Sequence, residues 1–209
     1  MGSSAQPAYW SEACAALAYV DPVMAGLVAR YPGMSLTSKG DAFHTLARSI
    51  VGQQISVKAA DSVWLRLETA LGRVESSRVL AAGTEALRGC GLSARKVEYL
   101  SDLARHHQEG RLDPQVWRDW DDEAVIVELC SIRGIGRWTA EMFLIFHLLR
   151  PDVLPLDDIG LLRAIADHYH AGERQPRKAL RELAEVWRPW RSVATWYLWR
   201  SLDPVPVEY

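Results

Sequence analysis

The chain has 209 residues, 49% hydrophobic and 24% charged, enough apolar matter for one packed domain or two small lobes. With 24 Lys and Arg against 26 Asp and Glu, the formal charge is -2. That balance excludes gripping a polyanion through bulk positive charge, though not through a local basic groove.

In chain order, nearly every apolar stretch has helical period. Asp41 to Val51 places Phe43, Leu46, Ala47 and Ile50 on one face and stops at Gly52. Ser56 is suited to cap a helix carrying Val57, Ala60, Val63, Trp64, Leu67 and Leu71 inward, closed by Gly72. A short helix is expected after Thr84, ending in Gly89-Cys90-Gly91. Ser93 caps a longer one with Val97, Leu100, Leu103 and Ala104 inward, stopping at Gly110. Asp121 and Asp122 open a helix to Cys130, and Trp138 to Leu149 form the next. Asp157-Asp158 precede the helical spacing of Ile159, Leu162, Ile165, Ala166 and Tyr169. Pro176 suits a first helical turn, that helix must end before Pro189, and a last one runs from about Trp190 to Leu202. No convincing strand alternation appears, so the expected fold is all-α, with Met1 to Ala5 a loose end.

The three Cys, at 14, 90 and 130, are far apart and form no C-x-x-C pair, so a four-cysteine zinc or iron–sulfur site cannot be built from them. No apolar run approaches the roughly 18–20 residues of a spanning helix, and no signal segment opens the chain. A cytoplasmic location is expected, nucleoid-associated if the source is bacterial, with no membrane partner. Charge is unevenly spread. Residues 48–111 hold ten basic and seven acidic side chains, 112–130 one and six, and 159–201 eight and four. Two stretches are therefore mildly basic, as a DNA backbone would ask, although solvated helix faces would look the same.

The most informative stretch runs from Leu129 to Ala140, LCSIRGIGRWTA. A helix runs into Gly134-Ile135-Gly136 and another starts at once. Glycines one residue apart allow positive φ and close backbone approach, and the following helix offers amides and a positive dipole end to a phosphate. A lone G-x-G is weak evidence, because tight helix–helix turns also use it. Four further strings accompany it: Ser49 to Ser56 (SIVGQQIS), Gly91 to Lys96 (GLSARK), Leu156 to Asp158 (LDD) and Trp187 to Ser192 (WRPWRS).

In this order the five strings resemble the helix-hairpin-helix (HhH-GPD) base-excision DNA glycosylases, and among them the DNA-3-methyladenine glycosylase II family. The resemblance covers about Ala42 to Leu202. It implies a two-lobed all-α fold, without the N-terminal β-rich domain of larger relatives, for which this chain has no room. Residues 41–150 would carry the hairpin, and 1–40 with 151–209 would bring the catalytic Asp to the cleft.

The resemblance also implies roles. The family's catalytic Asp lies about twenty residues beyond the position after the hairpin's Gly-Arg, which selects Asp158. Asp157 would cap or orient; by residue type alone both could be helix-start residues, one an N-cap. Lyase-capable members carry a Lys at position 138, and Trp138 cannot form a Schiff base, so a monofunctional enzyme is expected. Trp138 and Trp199, with Met142 where some relatives carry Tyr, would line the pocket for a flipped cationic base. The surplus of nine Trp against three Phe would otherwise be core: Trp64, Trp187 and Trp190 are read so, with Trp10 and Trp196 open. Gln53 or Gln54 would fill the gap in the duplex, unless the corner is a plain turn. Gly134, Ile135, Gly136, Arg137 and Thr139 would hold the DNA backbone. Carbonyls of Cys130, Ile132 and Ile135 could hold Na+ or K+; no cofactor is required and no iron–sulfur cluster is expected. The partner is double-stranded DNA with alkylated bases, of the 3-methyladenine and 7-methylguanine class, met by a monomer. The alternatives are a non-catalytic damage-binding module, or the same fold acting on ethenoadenine or hypoxanthine.

Overall fold

In a computed structural model of the chain, residues 6–38 and 41–202 are described. Among them are eleven α-helices, one 3-10 turn and no strand. The loose end expected at Met1 to Ala5 lies outside the described residues. The chain divides into two compact units, one within Met1–Ser38 and Leu144–Glu208, the other within Lys39–Phe143.

The first unit opens with α1 (Trp10–Val20) and α2 (Pro22–Arg30). Asp21 between them accepts the amides of Val23 and Met24 at 2.8 and 3.2 Å, capping α2, while Pro22 takes the first helical position. Its other oxygen receives the Tyr169 hydroxyl at 2.7 Å and the Trp187 indole N–H at 2.8 Å. A buried carboxylate is tolerable when four donors surround it, and this one ties the N-terminal helices to the C-terminal segment.

The second unit holds α3 (Ala42–Gly52), α4 (Val57–Leu71), α5 (Ser76–Gly89), α6 (Ala94–Gln108), α7 (Asp122–Cys130) and most of α8 (Arg137–Phe146). Asp41, Ser56, Ser93 and Asp121 each cap the helix that follows through the amide three residues on. Each such cap is worth about 1 kcal/mol, which explains why these starts were readable in the sequence. The expected stripes of α3 and α6 are buried, as are Val63, Trp64 and Leu67 of α4. Two helices differ in extent. α5 begins at Ser76, not after Thr84, because Gly83 adopts φ 73 and ψ 172 inside it and splits its apolar pattern in two. α8 ends at Phe146 rather than Leu149: Leu149 turns to φ 54 and the Arg150 amide closes onto the Leu144 carbonyl at 2.9 Å.

The chain then returns to the first unit as α9 (Ile159–Tyr169), α10 (Arg177–Ala184), a 3-10 turn over Glu185–Trp187, and α11 (Arg191–Leu202). Residues 192–198 of α11 are buried without a break, the signature of a helix wrapped by neighbours. Trp10 and Trp196, left open by the sequence, meet edge to face at 5.2 Å in this core. Trp187 is buried too, whereas Trp190 is half-buried and stacks on Tyr9 at 5.6 Å.

Candidate active site

The hairpin of the second unit is built from its turn outward. Gly134 has φ 84, a conformation only glycine adopts at no steric cost, and a Cβ there would lie 2.2 Å from Tyr99 Cδ2. Gly136 is not in the positive-φ region and a Cβ would meet nothing within 4 Å, so its smallness serves no contact inside the protein. The Ile135 side chain is buried, and its amide donates to the Ile132 carbonyl at 3.1 Å. The Ala140 amide reaches the Gly136 carbonyl at 3.0 Å, so α8 starts at the hairpin, where a helix leaves amides without intrahelical acceptors.

Arg137 is engaged rather than spare. Its NH1 and NH2 each donate to Glu123 at 2.7 Å and its Nε to Glu141 at 3.0 Å. These bonds hold the guanidinium protonated more firmly than usual, and they hold the Glu123 carboxyl below the ordinary carboxylate range. The pair clasps the first turn of α7 to the first turn of α8. The Thr139 side chain is buried.

At the α3–α4 corner the two glutamines part ways. Gln53 Nε2 donates to the Gly134 carbonyl at 2.8 Å. Gln54 is exposed, with its backbone in the left-handed region at φ 59. On α8, Trp138 is half-buried and Met142 buried, four residues apart and so on one face of the helix.

In the first unit, Asp158 is itself the N-cap of α9. Its Oδ1 accepts the Leu161 amide at 2.6 Å and also the indole N–H of Trp199 at 2.7 Å. Asp157, expected to cap or orient, does not cap α9. It is exposed and pairs with Arg177, because the helix start falls one residue later. Trp199 in turn stacks on Phe146 with centroids 5.5 Å apart and planes at 11°. A Cβ on Gly160 would sit 3.1 Å from Asp158 Oδ1 and 3.3 Å from Trp199 Cδ1. Phe146 and Gly160 were missed by sequence reasoning: an aromatic at a helix end and a glycine near a helix start carry no signal of a partner as distant in sequence as Trp199.

Among the described residues no group of three or more His, Cys, Asp or Glu side chains could hold a metal ion. None of their helices is long and apolar enough to cross a membrane.

A helical hairpin turned on glycine, together with an aspartate at a helix start held by an indole, is the equipment of a DNA-repair protein that works on bases. The HhH-GPD superfamily of base excision DNA repair proteins matches residues 47–189. DNA-3-methyladenine glycosylase 1 of Schizosaccharomyces pombe is 31% identical over 180 residues, covering 84% of this chain and 78% of that protein. The Bacillus halodurans DNA-3-methyladenine glycosidase has a TM-score of 0.77 and 35% identity, covering 88% of this chain and 90% of that one. The S. pombe 3-methyladenine DNA glycosylase in complex with abasic DNA has a TM-score of 0.76 and 29% identity, covering 95% and 98%. The chain spans 65% of the length of a Bacillus subtilis DNA-3-methyladenine glycosylase. The chain belongs to the HhH-GPD superfamily and, within it, to the DNA-3-methyladenine glycosylases.

Proposed function

We propose that the protein is a monofunctional DNA glycosylase, acting as a cytoplasmic monomer on duplex DNA. It hydrolyses the N-glycosidic bond of alkylated bases of the 3-methyladenine and 7-methylguanine class and leaves an abasic site. The observation that carries this reading is Asp158, a carboxylate fixed by two donors on one oxygen at the start of α9.

A base within the duplex cannot be cut, so it is first rotated out. Alkylation at a ring nitrogen makes it cationic, and the indole of Trp199, bonded to Asp158, holds it by stacking and cation–π attraction, a contact worth roughly 0.5–2 kcal/mol. The bond from C1′ to the base nitrogen breaks with its electron pair leaving on the base, which becomes neutral. Positive charge then develops on the sugar, and the Asp158 carboxylate stabilises it. Water adds to C1′ and releases its proton to solvent. Trp138 offers no amine, so no covalent enzyme intermediate forms and the strand is not nicked.

Hairpin amides around Gly134 and Gly136 seat a phosphate, with the bare Cα of Gly136 allowing close approach. Arg137, its charge already met by Glu123 and Glu141, contributes by clasping α7 to α8 beside the turn, and Ile135 by anchoring the turn in the core. A monovalent cation, Na+ or K+, would be held by the carbonyls of Cys130, Ile132 and Ile135; the Ile132 oxygen accepts one amide, and a carbonyl has a second lone pair. It would add positive charge beside that phosphate. Gln54, exposed on a left-handed backbone, fills the gap left by the base.

The test is single-turnover release of free base from methylated duplex by the parent and by Asp158→Asn. The asparagine keeps an oxygen for both donors, so the fold should hold while release falls at least about 100-fold. Substantial release by the variant, or binding without release by the parent, would overturn the reading.

A further inference from the structure

Gln53 is spoken for, and what it holds gives it a separate role. Its amide nitrogen, on the α3–α4 corner, donates to the carbonyl of Gly134 in the hairpin turn, 81 residues away in sequence. Behind this bond stands one face of α6, with Lys96, Tyr99 and Asp102 at spacings of three. The Lys96 ammonium donates to the Val51 carbonyl at 2.7 Å, at the end of α3 just before the corner. The Tyr99 ring fills the space in front of Gly134, and the Asp102 carboxylate accepts the Arg133 amide at 3.0 Å. The corner and the hairpin are thus each fastened to α6, and Gln53 joins them directly.

We propose that Gln53 is a positioning residue that sets the register between the corner and the hairpin. A phosphate seated on the hairpin then fixes where along the duplex the corner enters. The hairpin does not need Gln53 to keep its own shape, since Tyr99 and Asp102 of α6 also hold it. What the bond supplies is the relation between two DNA contacts. Without it the corner can shift by an ångström or so relative to a bound phosphate, a displacement large enough to disturb positioned chemistry.

This inference rests on the corner entering the duplex at Gln54, so the experiment treats the two glutamines separately. Gln53→Met keeps length and volume without a donor. Gln53→Glu keeps the shape and can donate only when its carboxyl is protonated. Three quantities are read on a 7-methylguanine duplex with 2-aminopurine beside the lesion: affinity for the undamaged duplex, fluorescence on base extrusion, and the single-turnover excision rate.

Gln53→Met is expected to keep the parent's helical spectrum and bind undamaged duplex within about threefold. Extrusion and excision should both fall at least about tenfold, a loss that proper positioning readily accounts for. For Gln53→Glu the excision rate relative to the parent at the same pH should recover as pH falls toward the carboxyl range near 4–5. A role that does not depend on the donated hydrogen bond would give no such recovery.

Parental extrusion and excision in Gln53→Met would overturn the proposal. So would a Gln53→Glu deficit independent of pH, or a loss of undamaged-duplex affinity as large as the loss of excision. If Gln54→Ala extrudes the base normally while Gln53→Met does not, Gln53 is itself the inserted residue and the register proposal is overturned.

Discussion

The indole N–H of Trp199 and the backbone amide of Leu161 converge on one oxygen of Asp158, at 2.7 and 2.6 Å. Both partners are donors, matching a carboxylate that only accepts. Trp199 therefore does more than offer a ring: it fixes the rotation of the carboxylate about its own bond while the helix fixes its base.

Trp199→Phe separates these two services. The ring that stacks on Phe146 is largely kept and the donor is lost. A hydrogen bond to a charged group contributes about 1.5–3 kcal/mol, so kcat should fall roughly 10- to 100-fold with little change in KM. Equal losses from Trp199→Phe and Trp199→Ala would show that the donor alone matters. A parental kcat in Trp199→Phe would show that the ring alone does.

Gly160→Ala should set activity and stability in opposition. Alanine is the better helix former by about 1 kcal/mol, and Gly160 has no positive φ to protect. Its methyl, however, would crowd Asp158 Oδ1 at 3.1 Å and the Trp199 ring at 3.3 Å. Melting temperature should hold or rise while excision drops several-fold. A variant both stable and fully active would mean the pair tolerates displacement.

The two hairpin glycines should fail differently. Gly134→Ala forces a methyl into the Tyr99 ring and a positive φ onto alanine, which should cost about 1–3 kcal/mol in a urea titration. Gly136→Ala meets nothing within 4 Å and should leave that titration unchanged. If a phosphate approaches Gly136, the same variant binds duplex several-fold more weakly. Unchanged affinity would move the phosphate seat elsewhere on the hairpin.

The clasp between Arg137 and Glu123 should make the hairpin acid-sensitive. The hydrogen bonds from Arg137 hold the folded-state pKa of Glu123 below its ordinary value. Such a group contributes stability above the unfolded value, about 4.3, and loses it as pH falls through the lower folded value. Comparing urea midpoints of the parent and Glu123→Gln from pH 7 down to pH 3 checks this. The difference should be constant above about pH 5 and shrink below it. Because Glu123 is largely exposed, the difference should also shrink in high salt.

Much of the fold was legible because its signals are local. The stripes of α3 and α6 and the caps at Ser56, Ser93 and Asp121 are set by residues three and four apart. The errors also have local causes. Gly83 broke the pattern of α5 midway, and Leu149 continued an apolar run past the true end of α8.

Residue types and order alone determined the all-α class, the glycine hairpin at Gly134 and the absence of an amine at Trp138, whereas the preference for Asp158 over its neighbour came from the family resemblance. Tertiary structure alone decided what each side chain spends its hydrogen bonds on. It gave the cap to Asp158 and an arginine partner to Asp157, committed Gln53 to Gly134 while leaving Gln54 exposed, and set Arg137 against two glutamates. The reason is reach: backbone periodicity is written in neighbours, whereas a donor and an acceptor 41 or 81 residues apart meet only after the helices have packed.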